Sequence, residues 1–230
     1  MSNPNSFDQI QVEAKHLGLF ETPLAYCTLK NSEALLQDLE QKILQNMASN
    51  KGLQRSNIGG WHSETDMSVW GGESAKKLAE TAVNVAKRMS HFKESDVNQY
   101  QWHVRMWANV TSKGGLNNLH SHPGNLWAAV LYVDLGEDPD AEDSEASLQS
   151  SGGRFFLEDP RFPMAAMKDA SFRMIGIAGK PQQYETEIKL ERGSLLVFPA
   201  WLKHGVRQYS GNRNRISIAM NIDAQRSAEN

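Results

Sequence analysis

The sequence has very little cysteine: Cys27 is the only one in 230 residues. An internal disulfide is thereby excluded, and the chain suits a reducing compartment. An excess of charge of either sign is also lacking. With 24 Lys and Arg against 27 Asp and Glu, the net charge is -3. The basic residues are scattered, so there is no positive field to draw in nucleic acid. No apolar run approaches the length that crosses a bilayer, and the opening Met-Ser-Asn-Pro-Asn-Ser lacks the charged and apolar regions of a signal peptide. No internal repeat or low-complexity tract stands out. These absences set aside secreted, membrane and nucleic-acid-binding classes and leave a cytoplasmic enzyme or binding protein as the expectation.

What is present is ordinary for a globular chain with a full core: 40% apolar and 22% charged residues, at a length that suits one domain spanning 1–230. Phe20-Glu-Thr-Pro-Leu reads as an extended entry strand. Asn31 or Ser32 can cap a helix that Glu33 opens, and Leu35, Leu36, Leu39, Ile43 and Met47 then fall on one face, ending near residues 49–52. A polar connection follows at 56–63, with a turn marked by Gly59 and Gly60. A second amphipathic helix is predicted from about Glu73 to His91, with Ala75, Leu78, Ala79, Ala82, Val85, Ala86 and Met89 on its stripe.

After Ser95 the period changes from helical to β. Short strands are predicted at 100–111, 127–134, 154–157, 172–177, 184–190, 194–198, 205–209 and 215–222, most of them separated by Gly, Pro or Asn. Strands in one block without alternating helices argue for an antiparallel sandwich or barrel. The expected organisation is therefore mainly β, with residues of about 1–95 giving helical support and about 96–222 forming the β core. Residues 137–153 carry six acidic side chains and read as a solvated loop, or as a lid over a site.

The chemistry centres on Asn117 to Asn125. His122 precedes Pro123 and is pushed toward extended backbone, so His120 and His122 project from the same side of the chain, as two imidazoles chelating one metal would. A third candidate, His204, follows a run in which Gly193 opens an apolar strand and Pro199 ends it. In a small double-sheet barrel the ends of neighbouring strands meet at one mouth, where His204 could join the pair. Beyond it, Arg215-Ile-Ser-Ile-Ala-Met-Asn-Ile alternates strictly. Arg215, Ser217, Ala219 and Asn221 share one face, and Ile216, Ile218, Met220 and Ile222 the other. An arginine inside a barrel is expensive unless an anion pairs with it, and guanidinium grips a carboxylate in a bidentate fork.

His120-Ser-His122, the distal His204 and, eleven residues later, Arg215-x-Ser217 resemble the pattern of Fe(II)- and 2-oxoglutarate-dependent oxygenases. More narrowly, Phe20-Glu-Thr-Pro, Gly59-Gly-Trp-His-Ser, Trp107-Ala-Asn109, His120-Ser-His-Pro-Gly, Leu131-Tyr-Val, Phe156-Leu-Glu-Asp-Pro, Phe198-Pro-Ala-Trp-Leu-Lys-His and Arg215-Ile-Ser-Ile resemble a bacterial and phage family of such oxygenases. The resemblance runs from about Leu19 to Ile222. It implies a double-stranded β-helix, the cupin-like jelly roll, backed by N-terminal helices. It implies an oxidoreductase that binds Fe(II) through His120, His122 and His204, and a 2-oxo acid and dioxygen at the remaining positions of a six-ligand ion. Arg215 would hold the distal carboxylate of 2-oxoglutarate, with Ser217 and Tyr132 assisting. Asn109 and Asn221 would orient ligands and cosubstrate through hydrogen bonds. Conversion of 2-oxoglutarate to succinate and CO2 would drive hydroxylation of a prime substrate that no motif specifies.

This sequence departs from the wider pattern in one respect: a carboxylate usually stands where it has His122. Either three histidines form the set, or a nearby carboxylate such as Glu158 or Asp159 takes the third place; the spacing favours the histidines. Two other readings compete. Gly115 to His122 and Gly193 to His204 also resemble the motifs of cupins with a three-histidine iron site and no oxo acid, but Leu126, Trp127 and Trp201 stand where that pattern has other residues, and Arg215 has no role in it. A non-catalytic jelly-roll binding module is the other. Trp102, Trp107, Trp127 and Trp201 could line a pocket or fill a core.

Overall fold

The computed structural model describes residues 13–15, 17–93, 99–136, 152–161 and 171–227. Most of the acidic segment, 137–151, lies outside the described residues, so the loop or lid expected there stays an expectation.

The first strand, β1 (Ala25–Thr28), follows the Pro-containing entry rather than coinciding with it. Helix α1 (Glu33–Ser49) forms as its spacing predicts, with Leu36, Leu39 and Ile43 buried on one face. After β2 (Asn57–His62) come a one-turn helix α2 (Met67–Trp70) and α3 (Gly72–Met89), which buries Ala75, Leu78, Ala82 and Ala86. Small residues on that stripe let α3 lie close against its neighbours. The β block is β3 (Tyr100–His120), β4 (Trp127–Asp134), β5 (Phe155–Glu158), β6 (Glu185–Ile188), β7 (Ser194–Pro199), β8 (His204–Val206) and β9 (Arg215–Arg226).

Every strand pairing is antiparallel, in the order β1-β7-β4-β9-β3-β8-β5-β6, with β2 also on β3. The long strand β3 makes the curl. Its first part, 100–111, pairs with β9, whereas Asn117 and His120 pair with β8 after a register shift. One strand therefore belongs to both walls of the jelly roll.

The alternation of β9 divides the core in two. Ile216, Ile218, Met220 and Ile222 join Met106, Ala108 and Val110 and the buried faces of α1 and α3 in one apolar cluster. Ala219 joins Trp107, Val130, Tyr132, Phe155 and Phe198 in a second, inside the roll. Both faces of the sheet near β9 are covered, as the pattern predicts, and side-chain period 2 assigns each residue to its wall.

Two expectations fail. Residues 172–177 are not a strand: only an isolated bridge joins Ile175 to Pro181, and Phe172, Met174, Ile175 and Ile177 are exposed. Without a burying surface, β-prone residues do not make a strand. Conversely the connection at 56–63 holds strand β2, whose register slips between Ile58 and Gly60. Gly59, at φ +66°, takes the bulge, and a Cβ on Gly60 would sit 2.9 Å from the Val110 carbonyl oxygen, so the glycines serve close strand pairing.

Candidate metal centre and cosubstrate pocket

The pairing of β3 with β8 sets His120 directly opposite His204. The backbone N–H of His122 donates to the Ala200 carbonyl at 2.8 Å, which ties the turn after β3 to the end of β7. Together these bonds bring one ligand atom from each of the three histidines within 4.8 Å of the others. His122 Nε2 and His204 Nε2 are 3.3 Å apart. Two imidazole nitrogens bound side by side to one ion at about 2.1 Å would stand about 3.0–3.4 Å from each other, so this pair already has the spacing of two ligands.

The tautomers agree with that role. His120 Nδ1 is 2.7 Å from the Asn118 carbonyl and His204 Nδ1 is 2.9 Å from that of Leu202. A carbonyl can only accept, so each Nδ1 carries the proton and each Nε2 keeps its lone pair. Burial, with His120 alongside, pushes the His204 imidazole down to about 3. Burial pushes His122 down to about 4, again with His120 adding to the effect, and lowers His120 as well. Three neutral imidazoles converging on one point suit a cation. Glu158 and Asp159 turn elsewhere, to Lys203 at 3.3 Å and to Arg161 at 2.5 Å.

Behind the histidines lies a cavity of about 500 Å³, lined among others by Asn109, Tyr132, Ser217 and Asn221. Arg215 is 2% exposed, its guanidinium 5.0 Å from the Tyr132 ring, and no carboxylate among the described residues pairs with it. Arg215 Nη2, Tyr132 Oη, Asn109 Oδ1 and Asn221 Oδ1 are all buried without a hydrogen-bond partner. Tyr132 and Arg215 lie close enough to feel each other electrostatically, yet without the geometry of a hydrogen bond; burial dominates and pushes the phenol up to about 12. Buried polar atoms are rarely left unpaired, and three on the cavity lining, with Arg215 packed next to Tyr132 just outside it, mark a place for a polar ligand. An unpaired buried guanidinium beside two hydroxyls fits the carboxylate of a 2-oxo diacid.

Of the residues named from the sequence, His120, His122, His204, Asn109, Tyr132, Ser217 and Asn221 line the cavity, and Arg215 packs against Tyr132 beside it rather than on its lining. Sequence reasoning missed others on the same wall. His62, on the unexpected strand β2, is buried and stacks on Trp107 with ring centroids 5.5 Å apart, and Trp107 in turn meets the His122 ring at 5.7 Å. Arg55, Thr65, Arg105 and Asn117 also line the cavity. The Gly-Gly-Trp-His phrase was the one signal for His62, and reading it as a loop concealed it. Of the four tryptophans singled out in the sequence, Trp107 lines the cavity, Trp127 and Trp102 pack in the helix-facing core, and Trp201 is 53% exposed.

Comparisons with known proteins complete the picture. Among solved structures, the fold is shared with a prolyl-4-hydroxylase of Pseudomonas putida (14% identity, TM-score 0.58, covering 90% of this chain and 94% of that one). It is shared with a prolyl hydroxylase of Trichoplax adhaerens solved with a peptide fragment of hypoxia inducible factor (14% identity, TM-score 0.57, 87% and 83% covered). HygX of Streptomyces hygroscopicus, solved with nickel and 2-oxoglutarate, is similar at 11% identity and TM-score 0.55, with 88% and 83% covered. No match is found among curated protein sequences. The fold is thus that of the jelly-roll oxygenases. Residues 105–221 match the family described as "Putative 2OG-Fe(II) oxygenase", about half of the chain, and the chain belongs to that family. It is accordingly an oxidoreductase that uses Fe(II) and 2-oxoglutarate.

Proposed function

We propose that the protein hydroxylates a C–H bond of its prime substrate, with His120, His122 and His204 holding Fe(II) and the cavity behind them holding 2-oxoglutarate. When bound, iron and 2-oxoglutarate together supply the oxidising chemistry, in which the oxo acid and dioxygen are consumed and succinate and CO2 released. The chain's own residues bind and orient. The histidines present neutral Nε2 lone pairs, held by the Asn118 and Leu202 carbonyls behind His120 and His204. Arg215 would grip the distal carboxylate, with Ser217 and Tyr132 adding hydroxyl contacts and Asn109 its unpaired carboxamide, whereas Asn221, six residues along β9 and opposite Arg105, lies too far from Arg215 to join them and would serve the other end of the cavity. The apolar wall of Val130, Phe155 and Ala219 keeps bulk water from the reacting centre.

The observation that carries this reading is Arg215. A buried charge without a partner is costly, and a dicarboxylate bound beside it removes that cost. A three-histidine cupin acting without an oxo acid would leave Arg215 unexplained. Anaerobic titration of the iron-loaded protein with 2-oxoglutarate tests the assignment through the weak visible charge-transfer band of a chelated 2-oxo acid. The band should appear in the wild type and weaken strongly in Arg215→Ala; iron binding without a band would remove the cosubstrate assignment. We also propose that 1–230 forms one oxygenase domain, which the single continuous sheet supports, and that it works in the cytoplasm, for which the lone Cys27 is the support. Among the described residues, no helix is long and apolar enough to cross a membrane.

A further inference from the structure

The cavity extends past the histidines on the side away from Arg215. Its floor is the inward face of β9 with β3 and β4 on either side, and the register places the side chains in four rungs. Arg215 lies beside Thr111; Ser217 lies between Asn109 and Tyr132; Ala219 lies between Trp107 and Val130; Asn221 lies between Arg105 and Ala128. Alternate residues on a strand are about 6.8 Å apart, so the first and fourth rungs are separated by about 20 Å. The His122 ring, 5.7 Å from that of Trp107, stands over the third rung. The histidines therefore divide the floor into an inner end, closed by Arg215, and an outer end that carries Arg105.

On the cavity lining the charge has one sign. Arg105 and Arg55 both line the cavity, and among the described residues no Asp or Glu does, although the chain as a whole carries more acidic than basic residues. Neither guanidinium is ion-paired among the described residues; that of Arg105 donates to Asn125 Oδ1 at 3.1 Å. Arg55 is held just before β2 by its own backbone N–H, which donates to Asn57 Oδ1 at 2.7 Å. Burial holds the nearby His62 imidazole below its usual range, with Arg55 adding to the effect and Glu64 opposing it, and His62 Nδ1 is 2.6 Å from the Ser63 carbonyl. That bond fixes the proton on Nδ1 and leaves Nε2 as an acceptor. Hydroxyls and amides of Ser56, Thr65, Asn117 and Asn221 also line the cavity. A single exposed arginine is an ordinary surface cation. Arg55 and Arg105 are both exposed, but two of them on the lining of the cavity that holds the reaction centre, beside neutral donors and with no acid on that lining among the described residues, make a receptor for an anion.

On the footing of the iron and 2-oxoglutarate assignment, we propose that the prime substrate is a small organic anion whose carboxylate or phosphate is held by Arg105 and Arg55. Its reacting C–H bond then lies over the third rung. The cavity volume of about 500 Å³ suits a small molecule beside the cosubstrate, within the range of small-molecule sites.

The test uses the full chain loaded with Mn(II) and 2-oxoglutarate. The probes are N-acetyl amino acids, each against its own carboxamide, and alkyl phosphates, each against the parent alcohol. Binding is read by calorimetry, and hits are then tried with Fe(II) for stimulated succinate release. Carboxylates or phosphates should bind and their neutral counterparts should not, the better class of the two identifying the anion. Arg105→Gln and Arg55→Gln should each weaken binding of the best anion about tenfold or more, the effect of losing a charge-assisted hydrogen bond. If no anion outbinds its neutral counterpart, or if binding is lost in Arg215→Gln but kept in Arg105→Gln, the inference is overturned. Failure of the wild type to bind 2-oxoglutarate at all, read in the same cell before any probe is added, would instead overturn the cosubstrate assignment on which it rests.

Discussion

His122 Nε2 and His204 Nε2 stand 3.3 Å apart although 82 residues separate them along the chain. His204 has its proton on Nδ1, so two bare lone pairs would repel across that gap. A proton or a cation must sit between them. In the metal-free protein the neutral Nε2–H tautomer of His122 donates to His204, and on metal loading that proton moves to His122 Nδ1, leaving both Nε2 lone pairs to the ion.

Replacing His204 by alanine removes a ligand but keeps the backbone pairing that sets β8 opposite His120, because that pairing uses main-chain bonds only. The protein should fold and lose metal affinity by more than the roughly 10–100-fold that loss of an outer hydrogen-bond partner costs. Equilibrium dialysis against Fe(II) under anaerobic conditions, or against Mn(II) in air, measures it. Full affinity in the variant would remove the proposed triad.

Arg215→Met should make the apo protein more stable while abolishing its response to 2-oxoglutarate. The unpaired guanidinium is buried, and an apolar side chain of similar length avoids a desolvation cost of about 1–3 kcal/mol or more. Urea unfolding of the apo forms reads the gain; thermal shift with 2-oxoglutarate and Mn(II) reads the loss. A less stable apo variant would mean that Arg215 has a partner in the free protein.

The apo protein should lose stability as the pH falls from about 6.5 toward 5, above the range where carboxylates titrate. The sign follows from the imidazoles. In the unfolded chain they take up protons near 6.5, whereas in the fold His122 and His204 are held down to about 4 and 3, and His120 and His62 are lowered too. The unfolded state then binds more protons, so stability is present above 6.5 and drains away below it. Metal affinity should stay nearly flat down to about pH 5, because few protons have to leave. Urea midpoints at pH 7, 6 and 5 should fall in that order, and less steeply in His204→Asn; a flat series would contradict the burial of neutral histidines.

Gly153→Ala should weaken 2-oxoglutarate binding without touching the metal. Gly153 has φ +66°, and a Cβ there would lie 2.9 Å from Tyr209 Cδ2 and 3.1 Å from Arg215 Cδ. The left-handed backbone costs about 1–2 kcal/mol with a side chain, and the added methyl displaces the guanidinium. Metal dialysis and 2-oxoglutarate titration, run side by side, separate the two effects.

Much of this was legible in the sequence where local pattern and burial agree. The alternation of Arg215 to Ile222 foretold both faces of β9 because the helices cover one and the roll encloses the other. His120, His122 and His204 were found as a set because each lies at a strand end that the jelly roll draws to one mouth. Strand β2 was not legible: its glycines, which normally signal a turn, serve there to bring β2 against Val110 and Gly115. His62 was lost with it. Residues 172–177 failed in the opposite direction, since β-prone side chains met no sheet to pair with. Arg55 and Arg105 carry no pattern at all; only the fold reveals that they face a common cavity.

The four-rung floor makes the sheet a ruler. Its divisions are set by the pitch of a β-strand, which side-chain changes do not alter, so the span from a substrate's charged group at Arg105 to the carbon that reacts is fixed by backbone geometry. On the proposed assignment the enzyme counts bonds from the anionic end of its substrate. Lengthening that substrate by one methylene should then move the oxidised position along the chain, rather than simply slowing the reaction at the original carbon.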